Sequence, residues 1–582
     1  MARLLKLVLA ATGSSAALLG PAVPQVLAQV TPAASTPTPE AQPQLLDPPP
    51  VPLPSADAVK GTRPKSNPTV LPPAATKLDP DLQRLAAPAT LALPNKVDQV
   101  TIVELRPLSL KDVENLAEVN NPNLKAVASR VDQAQSNLRA TLAAWYPTLN
   151  FTTGNAFPSW TYGRQYNYLS TIGATTEGGN TQTNRWSAAA TVGFNWDLIN
   201  PQRVPQVTAA RDAFEQAKNT YLIALRDLRL QTSQSYFQLQ YADNRVRIGQ
   251  TSVQASLVSL RDARARFQAG VATKLEVLEA ETQLARNQSQ LTNALSQQDI
   301  ARRNLARLLD LPQNITPTAK EPSRPLGVWL PSLQESIVAA YAFREELDNA
   351  LLSISVSNSN ANAALGAVQP FLSIVNNLVS GRTFGYAGLN KDIPLNGQIG
   401  SDGILSGQTW ATDNTIGLNL RWSILDGGRA RAQYRQSKQQ AEENAFRFAD
   451  TRDRVRFEVE ESFNRLRSSN RNIQTASREV LSARESLRLA RLRFQAGVTT
   501  QREVVDNQRD LTQAEESYAN SLREYNDNLA QLRRRTGLDQ IAVCQPASLP
   551  SAKPKNSDDS VPVPLEPLPA ACQVSNPLNK SS

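Results

Sequence analysis

One short stretch occurs twice in the chain, as RFQAGVAT at 266–273 and as RFQAGVTT at 493–500. Six identical residues, RFQAGV, begin both copies at an offset of 227 residues, which indicates an internal duplication. We therefore predict two repeats, at 105–315 and 331–543, joined by a linker at 316–330.

A long helical pattern leads up to each copy of this stretch. The predicted helices cover about 204–267 and 429–494, and each would be about 95–100 Å long at 1.5 Å per residue. A helix of that length needs coiled-coil partners, and apolar or small residues recur along both at alternating spacings of three and four. These residues are Val253, Ser256, Leu260, Ala263 and Phe267 in the first helix and Val480, Ala483, Leu487, Ala490 and Phe494 in the second.

A strand pair precedes each long helix. The first strands begin near Leu149 and Phe371, after helices predicted at 110–145 and 333–367. The second strands alternate apolar and polar residues, so that each has one apolar face. Such strands suit a membrane, because they exceed the ~9–11 residues that cross a bilayer obliquely, but they equally suit a sheet on a soluble core. The candidate lipid-facing residues are Val192, Phe194, Trp196, Leu418, Leu420 and Trp422.

Four strands do not close a barrel, and open strand edges are not tolerated in lipid. Two chains would give about eight strands, whose interior side chains would fill the barrel. Three chains would give about twelve and leave room for a lumen. If the strands lie in a membrane, the chain must therefore form at least a trimer.

The repeated stretch also predicts a helix–turn–helix connection. Gly270 and Gly497 suit the left-handed position that ends a helix. Thr273 and Thr500 stand where an N-cap is needed, and Glu276 and Glu503 follow three residues later, which predicts two capping boxes. Glu279 and Asp506 have no capping role and suit exposed coiled-coil positions.

The two ends of the chain differ from the repeats in composition. A basic start, an apolar run and the small residues Val26 and Ala28 predict a signal peptide at 1–28. A Pro-rich disordered linker is predicted at 29–104 and a disordered tail at 544–582. Cys544 and Cys572 would either form a disulfide in an oxidising compartment or remain free thiols.

The composition excludes several classes of function. The chain has no histidine, which excludes Ser-His-Asp and Cys-His catalysis and histidine-based metal sites. Its net charge is +9, but acidic and basic residues are interspersed, which argues against nucleic acid as a partner. We expect no enzyme activity, no cofactor and no metal.

Several further motifs, taken together with the duplication, resemble the TolC-like outer-membrane efflux proteins over about 105–540. They are NNPNL at 120–124, AAWYPTL at 143–149, NWDLIN at 195–200, LARLLDLP at 305–312 and RWSILDGGRARA at 421–432, besides the two hairpins.

The resemblance implies a mainly α fold with membrane β-structure. Each chain would carry two repeats, four strands and long coiled-coil hairpins. A homotrimer would build a barrel of about twelve strands in outer-membrane lipid and a periplasmic helical tube. Such proteins are passive exit ducts of tripartite efflux or type I secretion systems. Their partners are a periplasmic adaptor (membrane fusion) protein and an inner-membrane pump or ABC transporter.

The resemblance also assigns roles to the hairpin tips. Glu503 and Asp506 would constrict the periplasmic entrance, although Thr499 stands here where a well-studied relative has a gating arginine. The adaptor-docking residues would be Ala269, Gly270, Val271, Thr273, Ala496, Gly497, Val498 and Thr500.

A structural protein is the alternative function. A periplasmic coiled-coil tether between envelope layers would use the long helices, and its Pro-rich segment would bind the cell wall. The strand pairs argue against it, because a tether does not need two-faced strands.

Overall fold

A computed structural model describes residues 72–102, 104–153, 157–167, 170–171, 174–175, 179–389, 405–546 and 570–573. The predicted signal peptide and the first part of the predicted linker lie outside these residues. Over the described part of the chain there are eight α-helices and thirteen β-strands.

The helices are α1 (Leu110–Asn120), α2 (Pro122–Leu142), α3 (Arg203–Gln268), α4 (Lys274–Leu308), α5 (Leu333–Phe343), α6 (Glu345–Gly366), α7 (Arg429–Gln495) and α8 (Gln501–Thr536). The strands are β1 (Glu104–Leu108), β2 (Thr148–Thr153), β3 (Ser159–Asn167), β4 (Ser170–Thr171), β5 (Ala174–Thr175), β6 (Gly179–Ile199), β7 (Ile315–Ala319), β8 (Val328–Trp329), β9 (Phe371–Leu389), β10 (Leu405–Arg421), β11 (Ile541–Ala542), β12 (Gln545–Pro546) and β13 (Cys572–Gln573).

The two long helices are as predicted. Helix α3 has 66 residues and α7 has 67, and each folds back on a shorter partner, α4 or α8. Helices α3 and α8 also pack on each other, which joins the two hairpins. None of the described helices combines the length and apolarity that a membrane-spanning helix requires.

The helix at the start of each repeat is broken, contrary to the prediction of one helix of about 35 residues. Asn121 leaves the helical conformation because Pro122 follows it, and its side chain then accepts from the Leu124 N–H at 3.1 Å. In the second repeat the break falls at Arg344, whose guanidinium binds Glu458 at 2.6 Å. The first cause is local and the second is a tertiary contact.

The main sheet has the order β10-β9-β6-β2, and β3 also pairs with β6. Strands β2 and β3 pair with successive stretches of β6, so together they occupy one of four strand positions. Among the described residues, the outer edges of β10 and of β2 and β3 have no strand partner. The sheet of a single chain is therefore open at both sides.

One face of this sheet is largely apolar. Neighbouring residues in the register share a face, and Trp196 lies beside Ile374, which lies beside Leu418. Leu418 is 69% exposed in the single chain. The opposite face carries small and polar residues such as Asn195 and Asn419. The predicted alternation therefore gives one two-faced sheet.

Each repeat has its own hydrophobic core beside the long helices. The first core includes Leu116, Phe237 and Leu305, all buried to within 1% of full coverage. The second includes Val459 and Leu529, both fully buried.

Residues 72–102 pack on the first core, so the prediction of a disordered linker is wrong for this part of 29–104. Leu82 and Leu85 are buried in that core. Asn120 donates to the Leu85 carbonyl at 2.8 Å, and Arg229 donates to the Pro72 carbonyl at 2.7 Å. The Pro-rich composition concealed this segment because its apolar residues show no helical or strand period.

The predicted disordered tail is also partly ordered. Cys544 and Cys572 form a disulfide with their Cα atoms 5.3 Å apart. Asn470 on α7 then binds the returning segment, accepting from the Cys572 N–H at 2.9 Å and donating to the Cys572 carbonyl at 3.1 Å. Cys572 is buried in the second core.

Ion pairs with little exposure connect the two repeats. Arg226 on α3 contacts Glu345 at 2.5 Å, and Arg534 on α8 contacts Glu346 at 2.7 Å. Burial opposes ionisation of Glu346, but the hydrogen bond from Arg344 and the charge of Arg534 lower the pKa of Glu346 to about 2. Because this carboxylate stays ionised near neutral pH, it retains its attraction for both arginines.

Candidate functional site: the two hairpin tips

The first tip, residues 266–276, has the predicted turn. Gly270 has φ +74°, and the Val271 N–H donates to the Arg266 carbonyl at 3.0 Å. Thr273 Oγ1 accepts from the Glu276 N–H at 3.4 Å, and Glu276 Oε1 accepts from the Thr273 N–H at 3.3 Å. The helix-ending glycine and the capping box are both confirmed here.

The second tip, residues 493–503, has the same backbone but lacks the box. Gly497 has φ +75°, and the Val498 N–H donates to the Arg493 carbonyl at 2.9 Å. Thr500 has the extended conformation of an N-cap, but its side chain makes no capping hydrogen bond. The predicted second capping box is therefore wrong.

Glu503 has other partners in the second tip. Its Oε1 accepts from the Arg493 guanidinium at 2.8 Å, and its Oε2 accepts from the Thr499 hydroxyl. A guanidinium is a stronger partner for a carboxylate than a neutral backbone N–H. Arg493 therefore draws Glu503 away from the helix end.

Asp506 lies three residues beyond Glu503 on α8. Its carboxylate contacts Arg509 at 3.2 Å, and its side chain is 44% exposed. Glu503 is 33% exposed. The two acids thus remain accessible to solvent in the single chain, each with an arginine on its own hairpin.

The predicted docking surface is exposed at both tips. Val271 is 67% exposed and Val498 is 68% exposed. The other six predicted residues are exposed as well: Ala269, Gly270, Thr273, Ala496, Gly497 and Thr500.

One contact between the tips was not foreseen from the sequence. The Arg266 guanidinium donates to the Phe494 carbonyl at 3.0 Å and lies 4.3 Å from the centre of its ring. Gln501 also donates to Ser259, and its side chain is fully buried. The duplicated arginine of RFQAGV was the available signal, but sequence alone does not say which copy reaches across.

The candidate lipid-facing residues lie together, with one exception. Val192, Phe194 and Trp196 on β6 share the apolar face with Leu418 and Leu420 on β10. Trp422 lies just beyond the end of β10 at Arg421, so its prediction as a strand residue is wrong.

The two tryptophans at this end of the sheet are tied down in corresponding ways. Trp196 Nε1 donates to the Trp145 carbonyl at 3.1 Å, and Trp422 Nε1 donates to the Val368 carbonyl at 3.0 Å. Each bond joins the end of a second strand to the end of the preceding helical segment.

The sequence matches the Outer membrane efflux protein family over residues 113–310 and 343–538. It is 26% identical over 439 residues to the pyoverdine export outer membrane protein OpmQ of Pseudomonas aeruginosa, covering 72% of this chain and 82% of that protein. It is 21% identical over 443 residues to the outer membrane protein TolC of Vibrio cholerae, covering 74% of this chain and 90% of that protein.

The fold is similar to that of CusC, solved in a study of folding and transmembrane channel formation. The TM-score is 0.58 at 19% sequence identity, covering 79% of this chain and 99% of CusC.

Proposed function

The chain belongs to the outer membrane efflux protein family, and from this premise we propose that three copies form a passive exit duct across the outer membrane. The duct would be the last component of a tripartite efflux or type I secretion system. Its relatives are outer-membrane export channels rather than enzymes.

The open, two-faced sheet carries this proposal. Its four strand positions leave two unpaired edges, and backbone groups at such edges are costly in lipid. Joining three sheets edge to edge would pair every edge in a barrel of about twelve strands. The apolar face containing Val192, Phe194, Trp196, Leu418 and Leu420 would then face lipid, and the polar face would line the lumen.

The duplication supports a matching helical contact between copies. Within the chain, α3 of the first repeat packs on α8 of the second. The corresponding contact would place α7 of one copy on α4 of the next. Leu275 and Leu278 on α4 are 65% and 50% exposed, and Leu489 and Leu492 on α7 are 47% and 49% exposed. These apolar side chains are available for such a seam.

The tips would be the periplasmic end of the duct. The small apolar surface around Val271 and Val498 suits the helix tip of an adaptor protein, through which the duct would recruit an inner-membrane pump or ABC transporter. Glu503 and Asp506 would form two acidic rings around the threefold axis. Rings of carboxylates favour cations and repel one another when the tips approach.

Cysteine cross-linking tests the seam directly. At an offset of 227 residues, Ser259 and Gln501 within the chain correspond to Ser486 and Lys274 between copies. The Lys274→Cys, Ser486→Cys variant should give covalent trimers on oxidation. The control variant, Ser259→Cys with Gln501→Cys, should cross-link within one chain and leave its mass unchanged.

The protein should be extracted from outer membranes in mild detergent for these tests, and its mass and shape measured. A three-chain particle with a barrel and a tube about 100 Å long is expected. A monomer or filament that salt washes from the membrane would contradict the duct and favour a structural tether.

A further inference from the structure

A polar cleft of about 340 Å³ lies between α7 and α8, in the second hairpin. Ser469 and Asn472 on α7 form one wall, and Asp527, Asn528 and Gln531 on α8 form the other. The volume corresponds to roughly ten water molecules at about 30 Å³ each. The cleft is therefore large enough for a small organic molecule.

Several polar groups of this cleft are already paired. Asp527 Oδ2 accepts from the Arg523 guanidinium at 2.7 Å. The Asn528 amide donates to the Ser469 hydroxyl at 3.2 Å. Glu524, at the rim, accepts from the Asn520 amide at 2.8 Å.

Two buried oxygen atoms remain without a partner. No donor in the described part of the chain reaches Asp527 Oδ1 or Gln531 Oε1. The two residues lie one helical turn apart on the same wall. Burial raises the pKa of Asp527 to about 6, against the opposing charge of Arg523. A buried acceptor without a donor costs about 1–3 kcal/mol, and more when it is charged.

We propose that this cleft binds a small organic cation that carries a primary ammonium group. An ammonium ion offers three N–H donors and no acceptor, which matches the unpaired oxygens of Asp527 and Gln531. An anion would meet two unpaired acceptors instead. No group of three or more cysteine, aspartate or glutamate residues that could hold a metal ion occurs within the described ranges, which favours an organic cation over a metal ion.

The first repeat does not have the same arrangement. At an offset of 227 residues, Ser468 at the cleft corresponds to Tyr241, and Asp527 corresponds to Ile300. Arg523 lies 5.7 Å from the ring centre of Tyr241. Bulky and apolar residues thus stand at these positions in the first repeat. The fold therefore does not require an acidic cleft at this level, and the second repeat has one of its own.

A neighbouring copy is a second source of the donor, if the trimer proposed above forms. The position on α4 that corresponds to Arg523 is Ser296, and Asn293 and Ile300 flank it. This stretch offers no cation to Asp527. A small molecule therefore fits the cleft better than a side chain from a second copy.

Ligand-observed NMR on the full-length detergent-purified protein tests the site. The probe is n-butylammonium, with tetramethylammonium as a cation that lacks N–H donors. Asp527→Asn keeps the shape of the side chain and removes its charge, and we expect it to weaken n-butylammonium binding at least about tenfold. Gln531→Leu should weaken binding about threefold or more, and tetramethylammonium should bind the wild type at least about tenfold more weakly.

Asp510→Asn is the matched control, because Asp510 lies on the same helix, outside the cleft, with a side chain 63% exposed. Its affinity for n-butylammonium should stay within about twofold of the wild type. Equal affinity in the wild type and in the Asp527→Asn and Gln531→Leu variants would overturn the proposal, as would no binding to the wild type. A loss of trimer mass in Asp527→Asn, with no wild-type binding, would instead assign the cleft to subunit assembly. Because binding and oligomeric mass are read separately, failure of the site does not decide the duct.

Discussion

The two hairpin tips share a sequence and a backbone, but their side chains have different partners. Both turns have a glycine near φ +75° and the same backbone hydrogen bonds. In the first tip, Glu276 completes a capping box, whereas in the second Glu503 pairs with Arg493. Phe494 is 8% exposed, whereas the equivalent Phe267 is 45% exposed. Local sequence thus determines the turn, and neighbours determine the side chains.

The difference arises because the second tip has a neighbour within the same chain. Arg266 of the first tip reaches Phe494 of the second. For Arg493, the corresponding partner would be Phe267 of another copy. The contrast between the tips therefore measures what the single chain lacks, and four comparisons test it.

The phenylalanine pair should give the largest difference. Phe494→Ala should destabilise the second tip by about 3 kcal/mol, because Phe494 packs with Leu487, Ala490 and Val504. Phe267→Ala should cost less than about 1 kcal/mol in a single chain, since Phe267 is half exposed. Native-state hydrogen exchange of 480–510 and 253–283 measures both. Similar losses in the trimer would show that a second copy covers Phe267.

Asp527 should make the stability of the protein depend on pH. Burial raises its pKa to about 6 in the folded protein, against the charge of Arg523, with Glu524 beside it and Arg465 across the cleft. The folded state therefore holds this proton more tightly than the unfolded state. Its stabilisation is complete below about pH 4 and is lost as the pH rises through 6, by roughly 2–3 kcal/mol.

Denaturant unfolding at several pH values measures this effect. Asp527→Asn should remove that part of the pH dependence, whereas Asp510→Asn should preserve it. An unchanged profile in Asp527→Asn would mean that Asp527 ionises normally in the folded protein.

The duplicated arginines should differ by a smaller amount. Arg266→Ala removes the hydrogen bond to Phe494 and the ring contact, and we expect a loss of about 2 kcal/mol in the second tip. Arg493→Ala removes a solvent-exposed ion pair with Glu503 and should cost less than about 1 kcal/mol. Hydrogen exchange of residues 490–505 compares them, and a larger cost for Arg493→Ala would reverse the assignment.

The threonine caps should give the smallest difference. Thr273→Ala removes the capping box at the start of α4 and should cost about 1 kcal/mol. Thr500→Ala should be nearly neutral, because the Thr500 side chain makes no capping bond. Equal losses would restore the second capping box that the sequence predicted.

The sequence alone determined the duplication, the two long helices and the glycine turns. Each depends on residues within a few positions of one another: apolar residues at spacings of three and four, or a glycine between two helical runs. The alternation of residues 186–198 likewise determined a two-faced strand, because successive side chains of a strand point to opposite faces. Within about one residue, these elements begin and end where the pattern predicts.

Only the tertiary structure decided the partners of Glu503, the packing of Leu82 and Leu85, and the binding of Cys572 by Asn470. These contacts join residues that are up to 102 positions apart, and their residue types suit several alternatives equally. Glu503 had two possible partners, a helix end and Arg493, and the charged donor is the stronger one. Geometry decides such competition, because a local pattern contains no information about which distant group comes within hydrogen-bonding distance.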